Sequence, residues 1–349
     1  MTRTTARSSV TVFVLACVLA VAGCTPKPVA VISAWPVANS ERSVTPPPEP
    51  PRWPLTGRVA PDAASTKVRP LSIKVENSPA ARPQTGLNSA DVAYETVTEG
   101  GITRFHLIFQ SHIPKVVGPV RSARLSDMWV VPQYHGVFFY SGASDSVTQR
   151  VRQAGLPDLS QDAGVSYPYF RSSARPAPHN LYITTSKAFT EARRHKFDMS
   201  VKVPKLQFGP ASPVTSATAI KSVYVPLSTF NNVTWKYSAK RDVFLRSNNG
   251  VIHRDAATGK QVATKNVVVI WAKYTPASHD KHGAITYDIK LGGSGRATVM
   301  RNGHRFNGTW VASRTEPPHF LDKSGRPIRL ARGNTWLEVV PLDVNISMK

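Results

Sequence analysis

The sequence has very little cysteine. Its 349 residues include only Cys17 and Cys24, both close to the N-terminus. The rest of the chain can therefore form no disulfide, bind no metal through thiolates and use no cysteine nucleophile. It also lacks a Walker sequence and the Gly-x-Gly-x-x-Gly turn of dinucleotide-binding folds. These absences lead us to expect no cofactor.

Acidic residues are few compared with basic ones. Asp and Glu number 21 against 44 Lys and Arg, which gives a formal net charge of +23. A positive field attracts nucleic acids, anionic lipid headgroups and phosphate-bearing wall polymers alike. Hydrophobic residues make up 41% of the chain and aromatic residues 9%, which is a globular composition. The length is sufficient for two domains with their own cores.

The apolar run near the N-terminus is short for a membrane span. It extends from Val10 to Ala22, follows Arg3 and Arg7, and ends in Val-Ala-Gly-Cys, whereas a transmembrane helix needs about 20 residues. The terminal tetrapeptide resembles the lipobox of bacterial lipoproteins. This resemblance implies a signal peptide over residues 1–23, lipid on Cys24 and attachment to the outer face of the cytoplasmic membrane. An ordinary secretory signal is the alternative. Either location argues against a nucleic-acid partner.

A proline-rich segment follows the predicted lipidation site. Residues 24–52 include Pro46, Pro47, Pro48, Pro50 and Pro51 and show no apolar period. Such a composition favours an extended, semi-rigid chain. We therefore predict a tether between the membrane and the folded part.

Strand and helix patterns alternate over residues 53–203. Leu71, Ile73 and Val75 alternate with polar residues, which predicts a half-buried strand. A helix is predicted at Leu125 to Trp129 that Pro132 closes, and another from about Ser186 to His195. This interleaving predicts an α/β domain.

The second half has a different residue composition. After a connector over residues 204–224, β-branched and aromatic residues dominate residues 225–349. Gly292 to Gly295 is predicted to form a hairpin turn. The fold class is thus an α/β N-terminal domain followed by a mainly β C-terminal domain, or α+β overall. Four tryptophans could stack on sugars, but a role in the core is favoured. They are Trp235, Trp271, Trp310 and Trp336.

Five segments together resemble a known family. They are PLTG from Pro54, VENSPAARPQTGL from Val75, EGGITRF from Glu99, GPVRSAR from Gly118 and APHNLY from Ala177. In this order they are similar to the signature segments of the YerB-like lipoproteins, a family named for domain of unknown function 3048. The resemblance covers roughly Pro54 to Val340 and implies an envelope lipoprotein, but it supplies no reaction.

Charged and polar residues concentrate in those segments, at predicted strand ends where pockets form. Arg side chains bind phosphate or carboxylate through two parallel N–H donors, so we predict a ligand site at these strand ends. Ion pairing within the fold is the alternative for the same residues. The candidate ligand-binding residues are Glu76, Asn77, Arg82, Glu95, Glu99, Arg104, Arg121, Arg124, His179 and Asn180.

Two functions are compatible with this set. The first is binding of an envelope component, such as an anionic wall polymer or peptidoglycan, or of an envelope protein. The second is hydrolysis of wall glycan or peptide through Glu and His residues. Ser141 and Ser144 with His179 give only a weak hydrolase signal, because no Gly-x-Ser-x-Gly elbow is present. His279 and His282 flank Asp280 without a clear third ligand, so we predict no metal site.

Overall fold

Both halves of the chain contribute strands to one large mixed sheet. The computed structural model describes residues 49–210, 217–279 and 283–349. The predicted signal peptide, Cys24 and most of the predicted tether lie outside these ranges, as do Asp280 and His282. Glu49–Lys349 form one compact unit.

The first half contains helices and strands in alternation. Its α-helices are α1 (Asp127–Tyr134), α2 (Asp145–Gln153) and α3 (Thr185–Arg194). Its strands are β1 (Leu71–Glu76), β2 (Val92–Val97), β3 (Thr103–Phe109), β4 (Val116–Val117), β5 (Val137–Tyr140), β6 (Asp158–Ser160), β7 (Tyr169–Arg171) and β8 (Leu181–Thr184).

The second half consists of strands and loops over its described residues. The strands are β9 (Thr218–Ala219), β10 (Ser222–Pro226), β11 (Asn232–Ser238), β12 (Val243–Asn248), β13 (Val251–Ile252), β14 (Ala263–Thr264), β15 (Asn266–Trp271), β16 (Tyr274–His279), β17 (Ile285–Ile289), β18 (Gly293–Arg301), β19 (His304–Ala312), β20 (His319–Leu321), β21 (Thr335–Val340) and β22 (Ser347–Met348). The predicted α+β class is confirmed.

The large sheet runs in the order β20-β19-β18-β15-β21-β2-β3-β1-β5-β6, with β9 paired to β19. Its two halves join where β2 and β21 pair in parallel. A second, antiparallel sheet has the order β13-β12-β11-β10-β22, with β14 on β12. Small sheets are formed by β16 with β17, and by β4, β8 and β7. The division into domains at residues 203 and 225 remains a prediction.

The second sheet packs against one face of the large sheet. Trp235 of β11 and Trp336 of β21 meet edge to face there, with ring centroids 5.3 Å apart. Burial of such apolar side chains is the main favourable term in folding. Trp271 and Trp310 are buried as well. The interpretation of the four tryptophans as core residues is therefore confirmed.

Strand β1 is buried on both faces. The prediction of a half-buried strand is wrong, because all six of its residues are buried, Ser72 and Lys74 included. The reason is its position between β3 and β5 in the sheet, where Lys74 forms an ion pair with Asp127 of α1. A polar residue in an alternating pattern can thus mark a buried ion pair instead of solvent.

Two local predictions also need correction. Pro132 does not close helix α1, which continues to Tyr134 and ends at His135, in the left-handed conformation with φ +53°. Proline lacks the backbone N–H and so removes one helical hydrogen bond, but α1 continues for two residues beyond it. Gly293 and Gly295 begin strand β18 instead of forming a hairpin turn. The helix predicted from Ser186 to His195 agrees with α3 within one residue.

Among the described residues, no helix combines the length and the apolar character needed to cross a bilayer.

Candidate functional site

An open cleft of about 1110 Å³ is lined mostly by residues of the first half of the unit and is completed by two residues of the second half. Its walls come from the turn between β2 and β3, the segment before α1, the start of α2, the loop before β8, and β16. The cleft brings together four of the predicted residues, namely Glu99, Arg104, Arg121 and Arg124. Ser144, Asp145 and Ser146 add the N-terminal end of α2, where unpaired backbone N–H groups and the helix dipole favour anions.

Arg104 is the most deeply placed of the three arginines. Its side chain is only 6% exposed. Nη1 donates to the carbonyl of Thr103 over 3.3 Å, while Nε has no hydrogen-bond partner among the described residues. Burial, and next the positive charge of Arg124, lowers the pKa of Arg104. A buried guanidinium with so few hydrogen bonds lowers the stability of the folded state, and its free N–H groups can donate to an anion.

Arg121 belongs to a group of side chains around Glu76. Its Nε lies 3.4 Å from Oε2 of Glu76. The same carboxylate accepts hydrogen bonds from the Ser78 hydroxyl over 2.8 Å and from His179 Nδ1 over 3.0 Å. Burial raises the pKa of Glu76, but the charges of Arg104 and Arg121 outweigh it and hold the pKa below its ordinary value. Glu76 is therefore ionised and orients His179 through its Nδ1–H.

Arg124 is held in place by two carboxylates. Its Nε donates to Oε2 of Glu99 over 2.6 Å, and its backbone N–H donates to Oδ2 of Asp127 over 2.7 Å. Glu99 also accepts a hydrogen bond of 2.7 Å from the hydroxyl of Thr286 on β17. The predicted pairing of Arg with Glu thus occurs here, and it fixes one wall of the cleft.

A buried cluster of charges underlies this wall. Asp127 Oδ1 lies 2.7 Å from Lys74 Nζ and 2.9 Å from His106 Nδ1. Lys74 and His106 are direct partners in the register of β1 and β3. Although burial raises the pKa of Asp127, its two partners lower it to about 2. The carboxylate therefore stays charged and anchors both the sheet and the N–H of Arg124.

Asn77, Arg82 and Glu95 lie apart from the cleft lining, in a buried polar network between the two halves. Glu95 is fully buried and accepts hydrogen bonds from Asn77 Nδ2 over 2.9 Å and from the Thr103 hydroxyl over 2.6 Å. Its other oxygen pairs with Arg246 of β12. Arg82 donates to Asn77 Oδ1 over 3.0 Å. These three predicted residues therefore connect the halves of the unit.

His253 completes this network. Its Nδ1 accepts a hydrogen bond from Arg246, and its Nε2–H donates to Gln84 Oε1 over 2.7 Å. Burial, and next the charge of Arg246, lowers the pKa of His253 well below its ordinary value. The ring is therefore neutral at physiological pH.

The other polar candidates have separate surroundings. Asn180 accepts a hydrogen bond of 2.9 Å from Arg171 and donates to the carbonyl of Ser172, so it holds its own loop together. Ser144 and His279 line the cleft. Ser141 donates to Gln161 over 3.3 Å, and no hydrogen bond joins it to His179 in the described structure.

Sequence reasoning missed four residues that shape the site. Lys74 stands between Ile73 and Val75 and was interpreted as a polar position of an alternating strand, and Asp127 follows Ser126 near the start of a predicted helix, so neither position indicated a buried ion pair. Asp162, which lines the cleft next to Gly142, follows a weakly patterned loop. Arg246 comes from β12 in the other half of the chain, and the packing of the second sheet against the large sheet places it beside Glu95.

Comparison with known proteins places the chain in a family. The model described as "Protein of unknown function (DUF3048) N-terminal domain" matches residues 55–198, and the model of the corresponding C-terminal domain matches residues 223–337. The chain belongs to the DUF3048 family. The predicted resemblance is thereby confirmed. All ten candidate residues lie within the segment that the N-terminal DUF3048 model matches.

A DUF3048 relative is known in Bacillus subtilis (strain 168). The YerB protein of that organism, provisionally named a lipoprotein, is 31% identical over 299 residues, which cover 82% of this chain and 86% of YerB. The crystal structure of YerB superposes with a TM-score of 0.75 at 29% identity. The match covers 85% of this chain and 99% of the crystallised chain. A unit equivalent to the described one therefore folds independently in the relative.

Proposed function

We propose that the protein is a membrane-anchored envelope lipoprotein that binds an anionic component of the cell wall in the arginine cleft. The cleft is defined by Arg104, Arg121 and Arg124, with the N-terminal end of α2 opposite them. Arginine forks suit phosphate and carboxylate groups, which occur in anionic wall polymers and in peptidoglycan.

The observation that carries this proposal is the state of Arg104. Its guanidinium is buried, lines the cleft and forms no ion pair with any described carboxylate. In contrast, Arg121 and Arg124 are each matched by a glutamate. Arg104 is therefore the arginine of this lining that has no carboxylate within ion-pair distance among the described residues, and an anionic group of a ligand would provide one.

The remaining lining indicates what else the ligand carries. Asp145 and Asp162 face the cleft, together with the hydroxyls of Ser122, Ser144 and Ser146. Carboxylates accept hydrogen bonds from hydroxyl or ammonium groups. A polymer or muropeptide that combines acidic groups with hydroxyls or amines suits both walls, whereas a simple anion suits only the arginines.

The proposed anchor rests on the N-terminal sequence and on the relative. The sequence ends its apolar run in a lipobox-like tetrapeptide at Cys24, and the YerB relative is provisionally named a lipoprotein. Two acyl chains provide stable attachment where one does not. The positive net charge is consistent with partners rich in phosphate or carboxylate.

Calorimetric titration tests the proposal. The unit from Glu49 is titrated with soluble muropeptides, with fragments of a phosphate-bearing wall polymer and with inorganic phosphate. The double variant Arg121→Ala with Arg124→Ala would lose charged hydrogen bonds to the ligand. Because each such bond contributes about 1.5 to 3 kcal/mol, we expect it to bind at least tenfold more weakly than the wild type. The matched control is Arg193→Ala with Arg241→Ala, two exposed arginines outside the cleft lining. A purely scaffolding role predicts that the wild type binds none of these ligands.

One observation favours hydrolysis as the second candidate. His179 Nδ1 is hydrogen-bonded to the ionised Glu76, and a carboxylate in that position orients a histidine for proton transfer. Pro178, the preceding residue, lines the cleft. If the protein hydrolyses a wall bond, this pair is the suitable acid–base group, because Glu95 is sealed in the interior.

Turnover of labelled wall material distinguishes the two functions. A hydrolase would lose its activity in His179→Gln while it keeps its affinity for the ligand. A binding protein would show no turnover above background in the wild type, and His179→Gln would leave its affinity within a few-fold of the original.

A further inference from the structure

A second basic surface surrounds the point where the described chain begins. We call it the entry surface and define it by Arg52, Lys67, Lys202, Lys205 and Arg332. These residues line two adjoining clefts of about 590 and 430 Å³ that share Arg52 and Lys205. The surface is separate from the arginine cleft, because the two have no lining residue in common.

The backbone brings these basic residues together from distant segments. The N–H of Val201 donates to the carbonyl of Lys67 over 2.8 Å, which places Lys67 next to Lys202. The N–H of Leu206 donates to the carbonyl of Pro54 over 3.0 Å and brings Lys205 to the first residues of the unit. The cluster is therefore fixed by the fold and does not depend on side-chain conformation.

The entry surface has little negative charge of its own. None of its five basic residues forms an ion pair within the described part of the chain, and Glu49 is the one carboxylate in the lining of either cleft there. Arg52 Nε is buried and has no hydrogen-bond partner among the described residues. Lysines and arginines left unpaired in this way attract external anions.

Apolar side chains are interspersed with the basic ones. Val59, the bridge partner of Arg52, is 56% exposed, and Val68, the bridge partner of Ser200, is 37% exposed. Trp53 lines the smaller cleft and is half-buried. Basic residues mixed with exposed apolar residues and an aromatic ring are typical of proteins that lie on a lipid surface.

We propose that the entry surface lies against the anionic phosphate headgroups of a lipid bilayer. Its position at the start of the folded unit agrees with a chain attached to the membrane on its N-terminal side. Such contact would orient the unit on the bilayer in addition to any lipid anchor. The shape and charge of the surface carry this inference, and it does not depend on what the arginine cleft binds.

Vesicle sedimentation of the unit from Glu49, which carries no lipid, tests the proposal. The vesicles contain equal amounts of phosphatidylglycerol and phosphatidylcholine, or phosphatidylcholine alone. We expect binding to the anionic vesicles that weakens with salt, and none to the neutral ones. A basic residue near such a surface contributes roughly fivefold in partitioning, so Lys67→Gln, Lys202→Gln and Lys205→Gln together should lower it by about a hundredfold.

A matched triple variant separates the entry surface from total charge. Lys236, Lys240 and Lys260 are exposed on the second sheet and its turns. Their replacement by Gln removes the same net charge and should change partitioning by less than about fivefold. Equal losses in both triple variants would overturn the proposal, as would absence of binding to anionic vesicles. The triple variant of Lys67, Lys202 and Lys205 is also tested for binding to a soluble wall polyanion. If it binds the polyanion as the wild type does but no longer binds anionic vesicles, the polyanion binds at another surface and the entry surface is assigned to lipid.

Discussion

Glu95 and Glu338 are direct partners in the register of the parallel strands β2 and β21, and both are fully buried. Trp235 Nε1 donates to Oε1 of Glu338 over 2.8 Å, while Arg246 pairs with Glu95. Burial, and next the charge of Glu95, raises the pKa of Glu338 well above its ordinary value. Glu338 is therefore neutral, and the pair carries one negative charge that Arg246 balances.

The first prediction concerns Glu338→Gln. A neutral carboxyl and an amide have similar shape, and both can accept from Trp235 and donate to Glu95, so the unfolding free energy at pH 5 should change by less than about 1 kcal/mol. Because the pKa of Glu338 is higher in the folded than in the unfolded protein, its protonation stabilises the fold. This contribution is fully present below the unfolded pKa of 4.5 and is lost as the pH rises toward the folded pKa.

Urea denaturation at several pH values measures this effect. From about pH 5 upward the wild type should lose stability relative to Glu338→Gln, by at most about 1.4 kcal/mol per pH unit. A variant that is destabilised equally at every pH would show that Glu338 is ionised in the folded protein.

The second prediction concerns Glu95→Gln. The change would remove the carboxylate that Arg246 contacts, and loss of one member of a buried ion pair typically costs about 3 to 5 kcal/mol, which is an upper bound here because Glu338 can ionise once the charge of Glu95 is gone. Denaturant titration should therefore show a large loss of stability. The double variant Glu95→Gln with Arg246→Met should recover part of it, because the unpaired charge is also removed. An unchanged midpoint in the single variant would contradict the assignment of Glu95 to the interior network.

The third prediction concerns acid stability through Asp127. Its folded pKa of about 2 is below the ordinary value of 3.8, so it contributes stability that is present above pH 3.8 and is lost as pH falls toward 2. The shift corresponds to about 2 kcal/mol. Opposing this, burial lowers the pKa of Lys74 more than Asp127 raises it, so the pair as a whole contributes less.

Asp127→Asn checks this linkage. The variant should be less stable than the wild type at pH 7, and the difference should shrink as pH falls from 4 toward 2, as followed by circular dichroism during denaturation. A difference that stays constant over this range would show that Asp127 does not titrate with folding.

The fold class was predictable because it depends on local patterns. Alternating apolar residues and helical spacing depend on near neighbours in sequence, and the helix predicted from Ser186 to His195 agrees with α3 within one residue. The pairing of β2 with β21 joins residues more than 200 positions apart, and no local pattern specifies such a partner. The shared sheet therefore emerged only from the structure.

The candidate site was predictable in part for a related reason. Glu76 is the register partner of Arg104, whereas Glu95 is the partner of Phe105, so Glu76 and Glu95 belong to opposite faces of the sheet. A shift of one residue in register would exchange these faces, and the sequence does not reveal the register. The residue types in the sequence were sufficient to select the arginines as candidates. The strand pairing was needed to show which candidates line the cleft and which belong to the buried network around Glu95.

The most direct test of the account is the affinity of Arg104→Met for an anionic wall fragment, measured by calorimetry next to the wild type. Methionine fits the space of the arginine stem and removes a buried charge, but Glu76 then loses one of the two positive charges that hold its pKa down, so the unfolding free energy should change by less than about 2 kcal/mol. We predict that binding falls at least tenfold while the fold is kept. Unchanged affinity together with a loss of about 3 kcal/mol or more of stability would show that Arg104 serves the fold alone, and it would contradict the proposed cleft.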